Sequence, residues 1–126
     1  MSEDKLQATV RRASPLVNII DIRGEISSLS EKALIDAYTL ASAGNIRTVI
    51  FNFTEMNYMN SFGIGMLITL LIRASREGKK ITGYGLSEHY LHIFDLTRLD
   101  QAIPIYATQE IALARAEPFD LPERES

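Results

Sequence analysis

The chain contains no cysteine, which excludes disulfides and thiolate chemistry and fits a reducing compartment. It also lacks any long apolar run. The longest, from Ile64 to Ile72, covers about nine residues with Thr69 inside it, whereas a membrane helix needs about twenty. The N-terminus, MSEDKLQATVRR, has acidic residues early and no apolar segment of the secretory type. A cytoplasmic protein with no membrane contact is therefore expected. Charge of one sign is scarce as well. Thirteen basic and 16 acidic residues leave a net charge of -3, no electrostatic reason to expect nucleic acid or an anionic membrane. What is present is an ordinary globular composition, 46% hydrophobic and 23% charged over 126 residues, near the usual size of one domain.

Hydrophobic periodicity orders that composition into alternating elements. From Gln7 to Ser14, Ala8 and Val10 alternate with polar neighbours, a weak edge-strand signal that Pro15 interrupts. LVNIIDIRG follows from Leu16 as a half-buried strand ending at Gly24, so a short Ser-Pro turn joins an antiparallel pair. Ser28 and Glu31 have the spacing of a capping box. Leu34, Ala37, Tyr38 and Ala41 recur at helical spacing behind them, and Gly44 ends the helix. TVIFNF from Thr48 is β-branched and aromatic, hence a strand. An apolar helix from about Phe62 to Glu77 stops at Gly78. KKITGYGL then reads as a strand, SEHYLHIFDLTRL as a helix capped by Ser87, AIPIY as a strand, and TQEIALARA as a helix capped by Thr108. The order is β-β-α-β-α-β-α-β-α. It predicts a single α/β domain whose mixed sheet has about five strands, one antiparallel edge pair and about four helices. Residues 1–5 are expected to fray, and EPFDLPERES to form a loose polar tail.

The stretch NYMNSFGIGM, Asn57 to Met66, stands out at the junction of strand and helix. In such folds the loops leaving the carboxyl ends of parallel strands carry function, because helix N-termini converge there. Asn60 or Ser61 can cap the helix by accepting from backbone N–H groups two or three residues on. One reading stops there, with a cap and a turn that Gly63 and Gly65 permit. The other makes the Ser61 hydroxyl a site. On a helical wheel Ile64, Leu67, Ile68, Leu71 and Ser75 share a face taken as the core side. Phe62, Met66, Thr69, Arg73 and Arg76 fall opposite, so Phe62 and Met66 are expected beside Ser61 as a contact surface, unless another element or a dimer mate covers them.

Enzyme motifs fit poorly. Met59-Asn60-Ser61-Phe62-Gly63 lacks the first glycine of a nucleophile elbow. Gly63-Ile64-Gly65 would need a third glycine where Ile68 stands, and no phosphate-binding G-x-x-x-x-G-K-[ST] string occurs. His89, His92 and Asp95 have helical spacing that could hold a metal, but with no second cluster they read as partly exposed residues flanking Leu91 and Phe94. No catalytic residue, metal or cofactor is expected.

Phe53-Thr54-Glu55-Met56 through Asn60-Ser61-Phe62-Gly63-Ile64-Gly65 resembles the signature of STAS domains of the anti-sigma factor antagonist type. That signature is an apolar strand, a polar turn and an apolar pair, then Asp-Ser-(Ser/Thr/Phe)-Gly-(apolar)-Gly opening a helix. Gly24-Glu25-Ile26, Gly78-Lys79-Lys80, and His92-Ile93-Phe94-Asp95-Leu96 with Leu99-Asp100 are similar to further family segments. The likeness covers about Leu6 to Ala116, a STAS domain over 6–116 followed by the tail at 117–126. It implies a cytoplasmic switch protein that is not an enzyme and needs no cofactor. In its unphosphorylated form such a protein binds an ATP-dependent anti-sigma serine kinase and frees a sigma factor. Phosphorylation of the serine matching Ser61 then releases it, and a reversible cycle requires a serine phosphatase. The resemblance places partner contacts at Asn60, Phe62, Gly63, Met66, Ser27 and Arg73, on a monomer or weak homodimer. It leaves open a stressosome-type scaffold subunit and an accessory subunit of a transporter. The chain departs from the pattern at Asn60, Asn52 and Ser27, where the family usually has Asp. Asn at position 60 keeps a capping oxygen but removes a negative charge beside the hydroxyl.

Overall fold

The computed structural model describes residues 5–116. Its strands are β1 (Gln7–Ser14), β2 (Val17–Ile26), β3 (Thr48–Met59), β4 (Lys80–Tyr84) and β5 (Ile105–Tyr106). Its helices are α1 (Glu31–Ala41), α2 (Ser61–Arg76), α3 (Glu88–Leu96), α4 (Leu99–Ala102) and α5 (Gln109–Ala116). The five strands form one sheet in the order β1-β2-β3-β4-β5. β1 runs antiparallel to β2, and every other pairing is parallel. The expected mixed α/β domain with an antiparallel edge pair is therefore present. Expectations for the first four residues and for the tail at 117–126 lie outside the described residues.

Alternation along the strands sends apolar residues to both faces. Ile20, Ile22, Val49, Phe51, Phe53 and Ile81 pack under α1 to α4 in the larger core. On the other face Val17, Ile19, Ile50 and Tyr84 pack against Ala112 of α5. Gly44 and Gly78 end α1 and α2 with φ of 67° and 70°, the left-handed conformation expected of such stops.

Four local expectations are corrected. The first cap lies one residue early, because Ser28–Ser30 forms a short 3-10 turn before α1. Ser27 Oγ accepts from the Leu29 N–H at 3.3 Å, and Ser30 Oγ accepts from the Ser27 N–H at 3.0 Å. The box is thus Ser27 with Ser30, not Ser28 with Glu31. The third helix is two helices, broken at Arg98, whose φ of 63° is left-handed and cannot continue an α-helix. Ser87 precedes α3 without a side-chain cap bond, whereas Thr108 does cap α5, its Oγ1 accepting from Ile111 N–H at 3.2 Å.

The fourth positions the site. β3 does not end at Phe53 but runs on to Met59, paired only with β2, while β4 stops at Tyr84 opposite Asn52. The β2–β3 register slips twice, between Asp21 and Arg23 and between Gly24 and Glu25, each time giving β3 one extra residue. A one-residue bulge reverses which side chains face the core. Two of them keep Phe53, Met56 and Met59 all directed inward. The β2–β3 ribbon thus projects beyond the sheet, ends with Ile26 opposite Met59, and delivers the chain into α2.

Candidate functional site

α2 starts where that ribbon ends, and several contacts hold its first turn. The Asn60 side-chain Oδ1 accepts from the Gly63 N–H at 3.0 Å, which makes Asn60 the cap. Its own N–H donates to the Ile26 carbonyl at 3.3 Å. The Met59 N–H donates to the hydroxyl of Tyr90 on α3 at 2.9 Å. Gly63 faces the ribbon so closely that an added Cβ would lie 2.7 Å from Met59 Cγ and 2.9 Å from the Ile26 carbonyl oxygen. Its missing side chain is what lets α2 dock on the strand ends. Ser61 is the first residue of the helix and is exposed.

The helix does not bury the face expected from its wheel. Gly63, Met66, Leu67, Leu70 and Ala74 are the buried residues, within about 100° of one another at 100° per residue. Met66 is 6% exposed and belongs to the core, while Ile68, expected inside, is 41% exposed. Met66 and Gly63 are therefore packing residues and not surface contacts. The wheel is turned by about 90° from expectation. Apolar residues surround this helix on nearly every side, so their spacing does not define a core stripe. The close approach at Gly63 and the small Ala74 define it instead.

The corrected outer face is more coherent than the expected one. Ser61, Gly65, Ile68 and Ile72 fall within about 60° of each other and form a strip running down from the hydroxyl. Ile68, Ile72 and the flanking Phe62 are 41%, 50% and 40% exposed. Beyond the head of the strip the 3-10 turn touches α2 and carries Leu29, which is 90% exposed. Ser27, half-buried, caps that turn and so fixes where Leu29 stands. Asn60, Ser61, Phe62 and Ser27 thus meet at one end of the molecule. Arg73 does not join them, being twelve residues, or about 18 Å, along the helix axis. Its guanidinium donates to Thr39 Oγ1 at 3.0 Å and lies 5.2 Å from the Tyr38 ring centre, in the seam between α1 and α2. Reading the sequence missed Ile68, Ile72 and Leu29. The one available signal was Gly63, whose lack of a side chain marks the inward face.

Among the described residues, no three His, Cys, Asp or Glu side chains gather into a metal-binding group. His89 and His92 are exposed on α3, and the His89 ring meets the Tyr90 ring edge-on with centres 4.8 Å apart. Among the described residues no helix is long and apolar enough to cross a membrane. A second polar cluster lies on the α5 face of the sheet. There Asp21 accepts from Arg11 Nε at 2.6 Å and from Asn52 Nδ2 at 2.7 Å. Arg11 donates further to Tyr84 Oη at 3.3 Å and Gln109 Oε1 at 2.8 Å. Partial burial alone would raise the Asp21 carboxyl; the bonds from Arg11 and Asn52 outweigh it and hold the group below the usual carboxylate range.

A mixed five-stranded sheet with a hydroxyl at the mouth of its central helix defines a small α/β domain built around one exposed helix face. Residues 8–112 match the family model of the STAS domain, and the protein belongs to that family. Its fold resembles that of an anti-sigma factor antagonist from Mycobacterium paratuberculosis. The two share 20% identity, with a TM-score of 0.76 over 90% of this chain and 96% of that one. It is also similar to the phosphorylated form of SpoIIAA, a Bacillus cell-fate determinant, at 19% identity. There the TM-score is 0.69 over 88% of this chain and 100% of that one. A sulfate transporter family protein from Wolinella succinogenes shares the fold at 15% identity, with a TM-score of 0.73 over 84% and 88% of the two chains.

Proposed function

We propose that the protein is an anti-sigma factor antagonist that acts in the cytoplasm by regulated binding and catalyses no reaction itself. Unphosphorylated, it docks an ATP-dependent anti-sigma serine kinase on the strip headed by Ser61 and so frees a sigma factor. The kinase phosphorylates Ser61, the complex separates, and a serine phosphatase resets the chain. The observation that carries this reading is the exposed Ser61 hydroxyl at the head of the apolar Gly65–Ile68–Ile72 strip. Likeness in fold to a protein solved in a phosphorylated form supports it.

Charge makes the switch work. A phosphoryl group adds about -1.5 to -2 charge at pH 7 and three acceptor oxygens. At a helix N-terminus the dipole favours that charge, so the domain keeps its shape. Beside Phe62, Leu29 and Ile68 the same charge would have to be desolvated within an apolar contact, which costs far more than the contact returns. Binding is lost while the fold stays. Incubation with the kinase and ATP, followed by peptide mapping, should place a single phosphate on Ser61 and none on a Ser61→Ala variant. A phosphate elsewhere, or none, would refute the switch.

A further inference from the structure

We infer that Tyr90 is the positioning residue that holds the Asn60–Ser61 turn, and that α3 thereby sets how the hydroxyl is presented. Tyr90 is buried, and its hydroxyl receives the Met59 N–H at 2.9 Å. Met59 is the last residue of β3, where β4 no longer runs alongside to supply a backbone acceptor. The Met59 side chain in turn buttresses the first turn of α2, lying 2.7 Å from where a Cβ on Gly63 would be. One hydroxyl from a different element therefore fixes the strand end and, through Met59, the start of the helix that carries Ser61. Removing it leaves a buried N–H without an acceptor, and such a group opens toward water.

The tether itself stands on the geometry. Its consequence for phosphorylation rests on Ser61 being the acceptor, so the two are measured separately. Tyr90→Phe keeps the ring and deletes the oxygen. Amide hydrogen exchange at Met59, Asn60 and Gly63 should quicken roughly tenfold, the equivalent of one lost hydrogen bond, while Ile50 in the strand interior stays unchanged. With the kinase and ATP, kcat for Ser61 should fall about three- to tenfold at unchanged KM, because docking is intact and the hydroxyl is misplaced. Unchanged exchange at Met59, or equal acceleration at Ile50, would overturn the tether, and a wild-type kcat in Tyr90→Phe would overturn its role in presenting the hydroxyl. If wild-type Ser61 accepts no phosphate, the proposed function fails and the exchange data alone decide the tether. If Tyr90→Phe does not fold, the wild-type Met59 amide decides. Protection at the level of Ile50 supports the tether, and exchange at the rate of an exposed loop refutes it.

Discussion

At Gly63 one added carbon would meet two side chains and a backbone carbonyl at once, all inside 3 Å. Met59 could shift its flexible end, but the Ile26 carbonyl belongs to the strand pairing and cannot move far. Gly63→Ala should therefore cost about 1–3 kcal/mol in urea unfolding, although alanine is the better helix former. An unchanged or raised midpoint would show that the helix start is not so tightly seated. Asn60 works at the same scale. Its side chain caps α2 and, being an amide, places no negative charge next to the Ser61 hydroxyl, the acceptor in the proposed switch.

The element that decides the functional reading is α2. Its sequence announces a helix plainly, with a cap, an apolar run and a glycine stop, and it forms as expected. Which face it buries was not legible, since Ile64, Met66, Leu67, Ile68, Leu70, Leu71 and Ile72 cover most of the wheel. The contrast between two neighbouring residues checks the corrected face. Met66→Ala should lose about 2–4 kcal/mol of stability, as core truncations do. Ile68→Ala should stay within about 0.5 kcal/mol of wild type yet weaken kinase binding roughly tenfold. If Ile68→Ala unfolds the domain and Met66→Ala alone weakens binding, the strip is on the wrong side. The polar end of β3 was unreadable for a related reason. Thr54 and Glu55 are exposed beyond the edge of β4, so no burial period marks them as strand, and they read as a turn.

For the whole molecule the alternation of strands and helices was legible because each parallel crossover needs an apolar strand and an amphipathic helix in turn. The chain order, the antiparallel edge pair and the place of Ser61 at a strand-to-helix junction followed from that. The break at Arg98 did not, because a left-handed conformation at a non-glycine residue leaves no local signal. The sheet also carries a pH dependence remote from Ser61. Asp21 titrates below its unfolded value of ~3.9, so its bonds stabilise the fold above that value. That contribution is lost as pH falls through the depressed folded value. Wild type should exceed Asp21→Asn in urea midpoint by a constant margin above about pH 5, and the margin should close as acid is added. A gap that persists in strong acid would assign the effect to something other than ionisation.

The proposed switch is tested most directly by comparing kinase affinity and thermal stability for wild type and Ser61→Glu in the same preparation. A charge at the head of the strip should weaken binding by a hundredfold or so while the melting temperature stays within a few degrees. Undiminished affinity in a folded Ser61→Glu protein would contradict the account.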